Sequence, residues 1–184
     1  MTPILEEYAG LLYRYRKIIN VTGARSREEI RSLVEDSLIP FPLSGRILDL
    51  GTGGGLPGLP LYLRNPVLEM AFLDKSRKKM NVLSLIIQKL DISYPLLLTG
   101  EASRFLPQYE GFFDYVISRG MGETAFVLDF AAAFLKPGGK AWLWKPAGFV
   151  PNDYQRKGFV FTAGEVIPRT FCSVAVYKKR DGEG

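Results

Sequence analysis

The hydrophobic pattern of this chain changes its period once. Over residues 3–19, Ile4, Tyr8, Leu11, Leu12, Tyr15, Ile18 and Ile19 recur at three- and four-residue steps, which predicts an amphipathic helix. A second helix is predicted over 28–38, opened by Ser26 ahead of Glu28 and Glu29 and closed by Pro40 and Pro42. Asn20-Val21-Thr22-Gly23 reads as the turn between them. From Arg46 onward, short apolar runs alternate with helical stretches. Strands are predicted at 46–50, 68–74, 96–99, 113–118 and 140–145. Between them lie a helix after Gly58, an amphipathic helix at 77–90, and a nearly all-apolar helix at 124–135 that is expected to be buried. Pro137-Gly138-Gly139 is a turn. Two last runs, about 159–166 and 172–178, have no helix between them and suggest a closing antiparallel hairpin. This alternation predicts an α/β fold with a mostly parallel sheet covered on both faces. The chain reads as a single domain over 1–184, with a helical extension at 1–44 and a core at 45–184.

The pattern breaks most sharply just after the first strand. Arg46-Ile47-Leu48-Asp49-Leu50 runs into Gly51-Thr52-Gly53-Gly54-Gly55-Leu56-Pro57-Gly58, and a new helix begins. Strand, glycine loop and helix form the layout that receives nucleotide-like ligands, because glycine lets the backbone turn and approach without a Cβ. The spacing is Asp-x-Gly-x-Gly-x-Gly rather than the dinucleotide pattern, and the loop has no lysine for a P-loop. A second acid, Asp74, ends the next apolar run about 20 residues on, where a ribose-binding acid belongs. Two strand-end acids and no phosphate-binding lysine suit S-adenosylmethionine, whose ammonium and sulfonium charges call for carboxylates.

Composition narrows the chemistry. The chain has 184 residues and a net charge of +5, permissive for nucleic acid without being diagnostic. It has no histidine, which removes histidine-based acid–base catalysis, triads and metal ligation together. Its single cysteine, Cys172, allows no internal disulfide, so a cytoplasmic setting is expected. No apolar run is long enough to span a bilayer, and the first residues do not resemble a signal peptide.

The run from Asp49 to Leu61 resembles motif I of the bacterial ribosomal RNA small-subunit methyltransferase G (GidB) family, and its Leu-Pro-Gly continuation is more specific than the general methyltransferase loop. Asn20-Val21-Thr22, Glu35-Asp36-Ser37 and Ile117-Ser118-Arg119-Gly120 are similar to other segments of that family, so the likeness covers roughly residues 15 to 150. It implies a class I methyltransferase fold with a seven-stranded sheet, acting on guanine N7 in 16S ribosomal RNA, at the 530 loop, with S-adenosylmethionine as cofactor. By position it puts Gly51 and Leu56 along the methionine part, Asp74 on the ribose, and Ala102 and Ser103 at the adenine, with Asp49, Gly53 and Gly55 also expected to bind the cofactor. Arg119 then falls beside both cofactor and target base. Arg16, Asn20, Lys78, Lys79 and Lys145 are the candidates for RNA contact. The partner implied is 16S RNA or the small subunit, with no membrane, no metal and a monomeric enzyme. The chain departs from the family at Leu33, where histidine is frequent, at Ser103, where an acid is common, and at Pro146 after Lys145.

The residues agree with that reaction. Carbon methylation of pyrimidines uses a cysteine nucleophile, and Cys172 reads as core. Amine methylation commonly uses an Asn/Asp-Pro-Pro-aromatic motif where this chain has Ser118-Arg119-Gly120. Guanine N7 has a free lone pair and no proton to lose, so alignment suffices and the rate is expected to show no titration of an enzyme group near pH 6–7. Arg119 could fork onto guanine O6 or a phosphate, or form a structural ion pair instead. The readings kept open beside this one are a methyltransferase for another RNA or a small molecule, and a non-catalytic RNA-binding module.

Overall fold

The structure is a computed structural model that describes residues 1–19, 24–40, 43–156 and 158–181. Two helices, α1 (Pro3–Ile19) and α2 (Arg27–Ser37), precede the sheet. Ser26 caps α2 by accepting the Glu29 N–H at 3.0 Å, and Glu28 and Glu29 in its first turn suit the positive end of the helix dipole. Eight strands follow: β1 (Arg46–Leu50), β2 (Glu69–Asp74), β3 (Leu96–Thr99), β4 (Phe113–Arg119), β5 (Leu135–Pro146), β6 (Tyr154–Arg156), β7 (Phe159–Pro168) and β8 (Cys172–Asp181). They form one sheet in the order β3-β2-β1-β4-β5-β8-β7-β6. The first five are parallel, and β8, β7 and β6 pair antiparallel. The connecting helices are α3 (Gly58–Arg64), α4 (Arg77–Lys89), α5 (Leu106–Tyr109, entered through a 3-10 turn at Ala102–Phe105) and α6 (Thr124–Phe134).

Alternation along the strands feeds two cores. Ile47, Met70, Phe72, Ile117 and Trp142 face α1 to α4, where they meet Tyr8, Leu12, Ile30, Leu59 and Leu83. Leu48, Leu50, Leu73, Val116 and Leu143 face the other way, against Val127, Leu128, Ala131 and Phe134 of α6. Strand order reverses between β1 and β4, so their carboxyl ends border the crevice where open α/β sheets bind ligands.

Three expectations need correcting. Among the described residues the sheet has eight strands rather than seven, because β6 is a three-residue edge strand on β7, too short to show a period. The nearly all-apolar α6 is not buried all round: it packs one face on the sheet and leaves Phe126 50% exposed. The strand expected to open after the Pro137-Gly138-Gly139 turn already begins before it, with Leu135 paired to Phe113. Among the described residues no helix is long and apolar enough to cross a membrane.

Candidate functional site

The glycine loop between β1 and α3 is held from beneath. Gly51, Gly53 and Gly55 take positive φ values of 74°, 59° and 99°. The N–H groups of Gly51 and Thr52 donate to the Leu73 carbonyl at 2.8 and 3.0 Å, and those of Gly55 and Leu56 donate to the Thr52 carbonyl at 2.9 and 3.2 Å. Gly53 N–H donates to Asp74 Oδ2 at 2.9 Å. With these donors engaged, the loop does not offer the row of free N–H groups that a phosphate cradle needs. Asp49 lies under the loop, where its Oδ2 accepts from Thr52 Oγ1 at 2.7 Å and from Gly58 N–H at 2.9 Å. Its Oδ1 is buried with no hydrogen-bond partner among the described residues. Burial outweighs the two bonds and pushes this carboxyl up to about 7, with the nearby Asp74 charge acting in the same direction.

A third clamp comes from the N-terminal helices. Tyr8, on α1, donates its hydroxyl to the Gly54 carbonyl at 2.9 Å across 46 residues. Burial first, and the Asp49 charge second, raise this phenol well above its ordinary value, so it stays a donor. Sequence pattern marks Tyr8 only as an apolar helix position, and nothing local in the chain signals the bond.

Beside the loop lies a cavity of about 250 Å³ lined by Gly51, Leu73, Asp74, Lys75, Lys79, Gly100, Glu101, Ala102, Gly120, Met121, Phe126 and Phe130. Asp74 sits at its edge with Oδ1 accepting from Ser76 N–H at 2.8 Å and Oδ2 from Gly53 N–H, so each oxygen keeps a lone pair for a ligand hydroxyl. Met121 lies over Gly51, where a Cβ would come within 3.0 Å of its sulfur. An acid at the end of β2, aromatic and thioether walls, and a loop without free phosphate donors fit S-adenosylmethionine. Met121, Phe126 and Phe130 had no signal in the sequence beyond their place after β4.

Arg119 is not among the residues lining that cavity. Its half-buried guanidinium turns toward α2 and donates from Nη1 to the Leu33 carbonyl at 3.1 Å. Burial lowers its pKa, opposed by Cys172, Asp36 and Tyr8. Asp36 is buried and accepts from the N–H groups of Thr170 at 3.1 Å and Phe171 at 2.8 Å, and from Cys172 Sγ at 3.7 Å. Trp144 Nε1 donates to the Asp36 carbonyl at 2.8 Å. Cys172 is core as expected, yet it pairs with Pro146 at the carboxyl end of β5, because β8 runs antiparallel. Burial pushes its thiol up to about 11, which removes it as a thiolate nucleophile.

The other expected site residues scatter. Leu56 is buried in the core with Tyr8 and Leu59. Ala102 is buried at the cavity, whereas Ser103 is exposed and not part of its lining. Lys79 lines the cavity, Lys78 is exposed, and Lys75 pairs with Glu101 at 3.7 Å. Lys145 reaches the Gly122 carbonyl at 3.4 Å and stands 5.7 Å from the Phe149 ring centre. Arg16 folds back on its own helix, bonding the Tyr13 carbonyl and stacking 3.3 Å over the Tyr13 ring. Asn20 lies outside the described residues.

The sheet order, the clamped glycine loop and the acid after β2 define a methyltransferase-type α/β fold. Solved structures with the same fold include a SAM-dependent methyltransferase from Aquifex aeolicus, with a TM-score of 0.55 at 15% identity, covering 73% of this chain and 81% of that one. Another is Pyrococcus horikoshii TYW2 in complex with MeSAdo, with a TM-score of 0.62 at 14% identity, covering 85% of this chain and 64% of that one. The chain belongs to the rRNA small subunit methyltransferase G (GidB) family, whose model matches residues 1–159. It is 35% identical over 153 residues to the Ribosomal RNA small subunit methyltransferase G of Moorella thermoacetica, covering 79% of this chain and 64% of the relative. It is 30% identical over 184 residues to that of Pseudothermotoga lettingae, covering 99% and 79%. The chain thus spans 64% and 58% of the length of two of these relatives, those from Moorella thermoacetica and Clostridium novyi.

Proposed function

We propose that this chain transfers a methyl group from S-adenosylmethionine to N7 of a guanine in 16S ribosomal RNA, in the 530 loop. The observation that carries the reading is the cavity between the glycine loop, Asp74 and Ala102, in a chain of this family. S-adenosylmethionine supplies an electrophilic methyl carried on a sulfonium sulfur. Asp74 holds the ribose through its free lone pairs, and the Ala102 backbone meets the adenine. Leu73, Phe126 and Phe130 exclude water from the cavity. Guanine N7 has no proton to remove, so no side chain needs to act as base, and no metal is needed to activate a nucleophile. The chain's share is alignment and field. Arg119 stays protonated beside the crevice, where it can leave Leu33 and fork onto guanine O6 or a phosphate. N7 must stay free to attack, so a grip on both N7 and O6 is excluded. The enzyme acts as a monomer, in the cytoplasm where small subunits are built.

The test is to incubate the chain with labelled S-adenosylmethionine and either 16S RNA or small subunits, then map the modified base. Methyl on guanine N7 is expected. Methyl on a carbon or an exocyclic amine overturns the reading, since that chemistry needs a group this site lacks. Arg119→Ala should keep cofactor affinity and lose most turnover, with Arg119→Lys restoring only part of it because lysine lacks the planar fork.

A further inference from the structure

Of the large apolar side chains exposed among the described residues, three stand at the carboxyl end of the sheet, while Val67, Tyr94 and Leu96 lie near the amino ends of β2 and β3. Phe126 (50% exposed), Val150 (73%) and Phe171 (63%) lie on the three connections that leave the carboxyl ends of β4, β5 and β7. The pairing Cys172↔Pro146 puts the β7–β8 turn at the carboxyl end of β5, next to Arg119 on β4, which pairs with Trp144. Single exposed apolar residues are ordinary on a protein surface. Here, however, Phe171 is fixed in place. Its N–H is held at 2.8 Å by the buried Asp36 carboxylate, and Arg169 N–H closes the turn onto the Cys172 carbonyl at 2.8 Å. An aromatic ring kept exposed on a backbone tied this firmly meets its partner with little ordering cost.

Cations gather at that rim, beside the buried Asp36 carboxylate and the exposed Glu35. Arg169 is anchored through Nη2 to the Glu35 carbonyl at 3.0 Å, and its Nε is buried without a partner among the described residues. Lys145 and Arg119 lie on the adjoining strand ends. Aromatic rings among cations are the surface that single-stranded RNA recognises, with bases stacking on the rings and phosphates meeting the cations. We infer that Phe171 is a base-stacking residue for single-stranded RNA next to the target guanine, held by Asp36 and flanked by Arg169 and Lys145. The inference rests on the RNA-methylating reading above, and Phe171 lies beyond residues 1–159, the part matched by the family.

The experiment uses the full chain and a 16S RNA transcript, with RNA affinity measured by filter binding beside methyl transfer, S-adenosylmethionine affinity and thermal midpoint. Phe171→Ala should bind RNA about tenfold more weakly, within the range that losing one stacked base produces. Its cofactor affinity and thermal midpoint should match wild type. Phe171→Trp should bind like wild type, and Phe171→Leu, apolar but not planar, should behave like the alanine variant. RNA affinity unchanged in Phe171→Ala, or restored by leucine, overturns the inference. If wild type methylates RNA and Phe171→Ala binds and turns over equally well, this inference fails alone. If wild type transfers no methyl to RNA while RNA affinity still depends on an aromatic ring at this position, the methyltransferase reading fails and the stacking role stands.

Discussion

Two glycine-bearing connections leave the carboxyl end of the sheet at its crevice, after β1 and after β4, and they use glycine for different reasons. In the loop after β1, space is a constraint in addition to the positive φ of Gly51, Gly53 and Gly55. A Cβ on Gly58 would lie 2.5 Å from Asp49 Oδ2 and 2.8 Å from Phe72 Cε1, and one on Gly55 would lie 2.9 Å from Leu83 Cδ1. In the connection after β4, Gly120 and Gly122 have φ values of 68° and 109°, and a Cβ on either would meet nothing within 4 Å. The first loop is a fixture clamped by Asp49, Asp74 and Tyr8, and the second is shaped by backbone conformation alone. The first can therefore set the position of a bound cofactor, and the second can adjust around it.

Four experiments break or sharpen that contrast, and the largest effect is expected at Asp49. Its carboxyl is raised from 3.8 to about 7, so the folded chain keeps a proton that the unfolded chain has released. Stability from this group should therefore be fully present below about pH 4 and be lost as pH rises through 7, a swing of about 4 kcal/mol at roughly 1.4 kcal/mol per pKa unit. Urea denaturation between about pH 3.5 and 8 measures it, and Asp49→Asn should flatten that part of the profile. An unchanged profile in Asp49→Asn would show that the clamp is ionised throughout.

Gly58→Ala comes next. Its Cβ would collide with the Asp49 clamp and the Phe72 ring, so a loss of about 3 kcal/mol is expected. Equilibrium unfolding checks this, and wild-type stability would mean that the loop is less tightly packed than its distances imply. Tyr8→Phe removes only a hydroxyl but strands the buried Gly54 carbonyl. A cost of about 2 kcal/mol is expected, with KM for S-adenosylmethionine rising while kcat changes less. The smallest effect belongs to Gly120→Ala, where open space leaves only the left-handed backbone to resist, at about 1 kcal/mol. If Gly120→Ala proved costlier than Gly58→Ala by the same unfolding measurement, the contrast between the two loops would be reversed.

What the chain discloses on its own follows from range. α1 was legible to its last residue because seven apolar positions repeat within one segment, and β3 because its four residues stand between clear breaks. The glycine loop and Asp74 were legible because the βαβ unit fixes their separation within a short stretch. Tyr8 was not, since its partner Gly54 is reached only after the helices pack on the sheet. The surroundings of Cys172 were not legible either. An antiparallel strand exchanges its ends, so the first residue of β8 arrives at the carboxyl end of β5, a reversal that no local period encodes. Arg119 could be placed at the end of β4 by pattern, but the direction of its side chain depends on the Leu33 carbonyl, 86 residues earlier.

The bonds from Asp36 to Thr170, Phe171 and Cys172 also bear on how the chain is made. They join positions 134 to 136 residues apart, so the carboxylate that α2 buries has no partner from that turn until residues 170–172 have left the ribosome. Contacts of such sequence separation close late because the loop entropy comes before any reward. During synthesis the helical extension should stay loosely docked while the parallel strands assemble, and lock only when the final hairpin emerges. A nascent chain stalled before Thr170 would then show its first two helices open to protease, and release of the last strand would protect them.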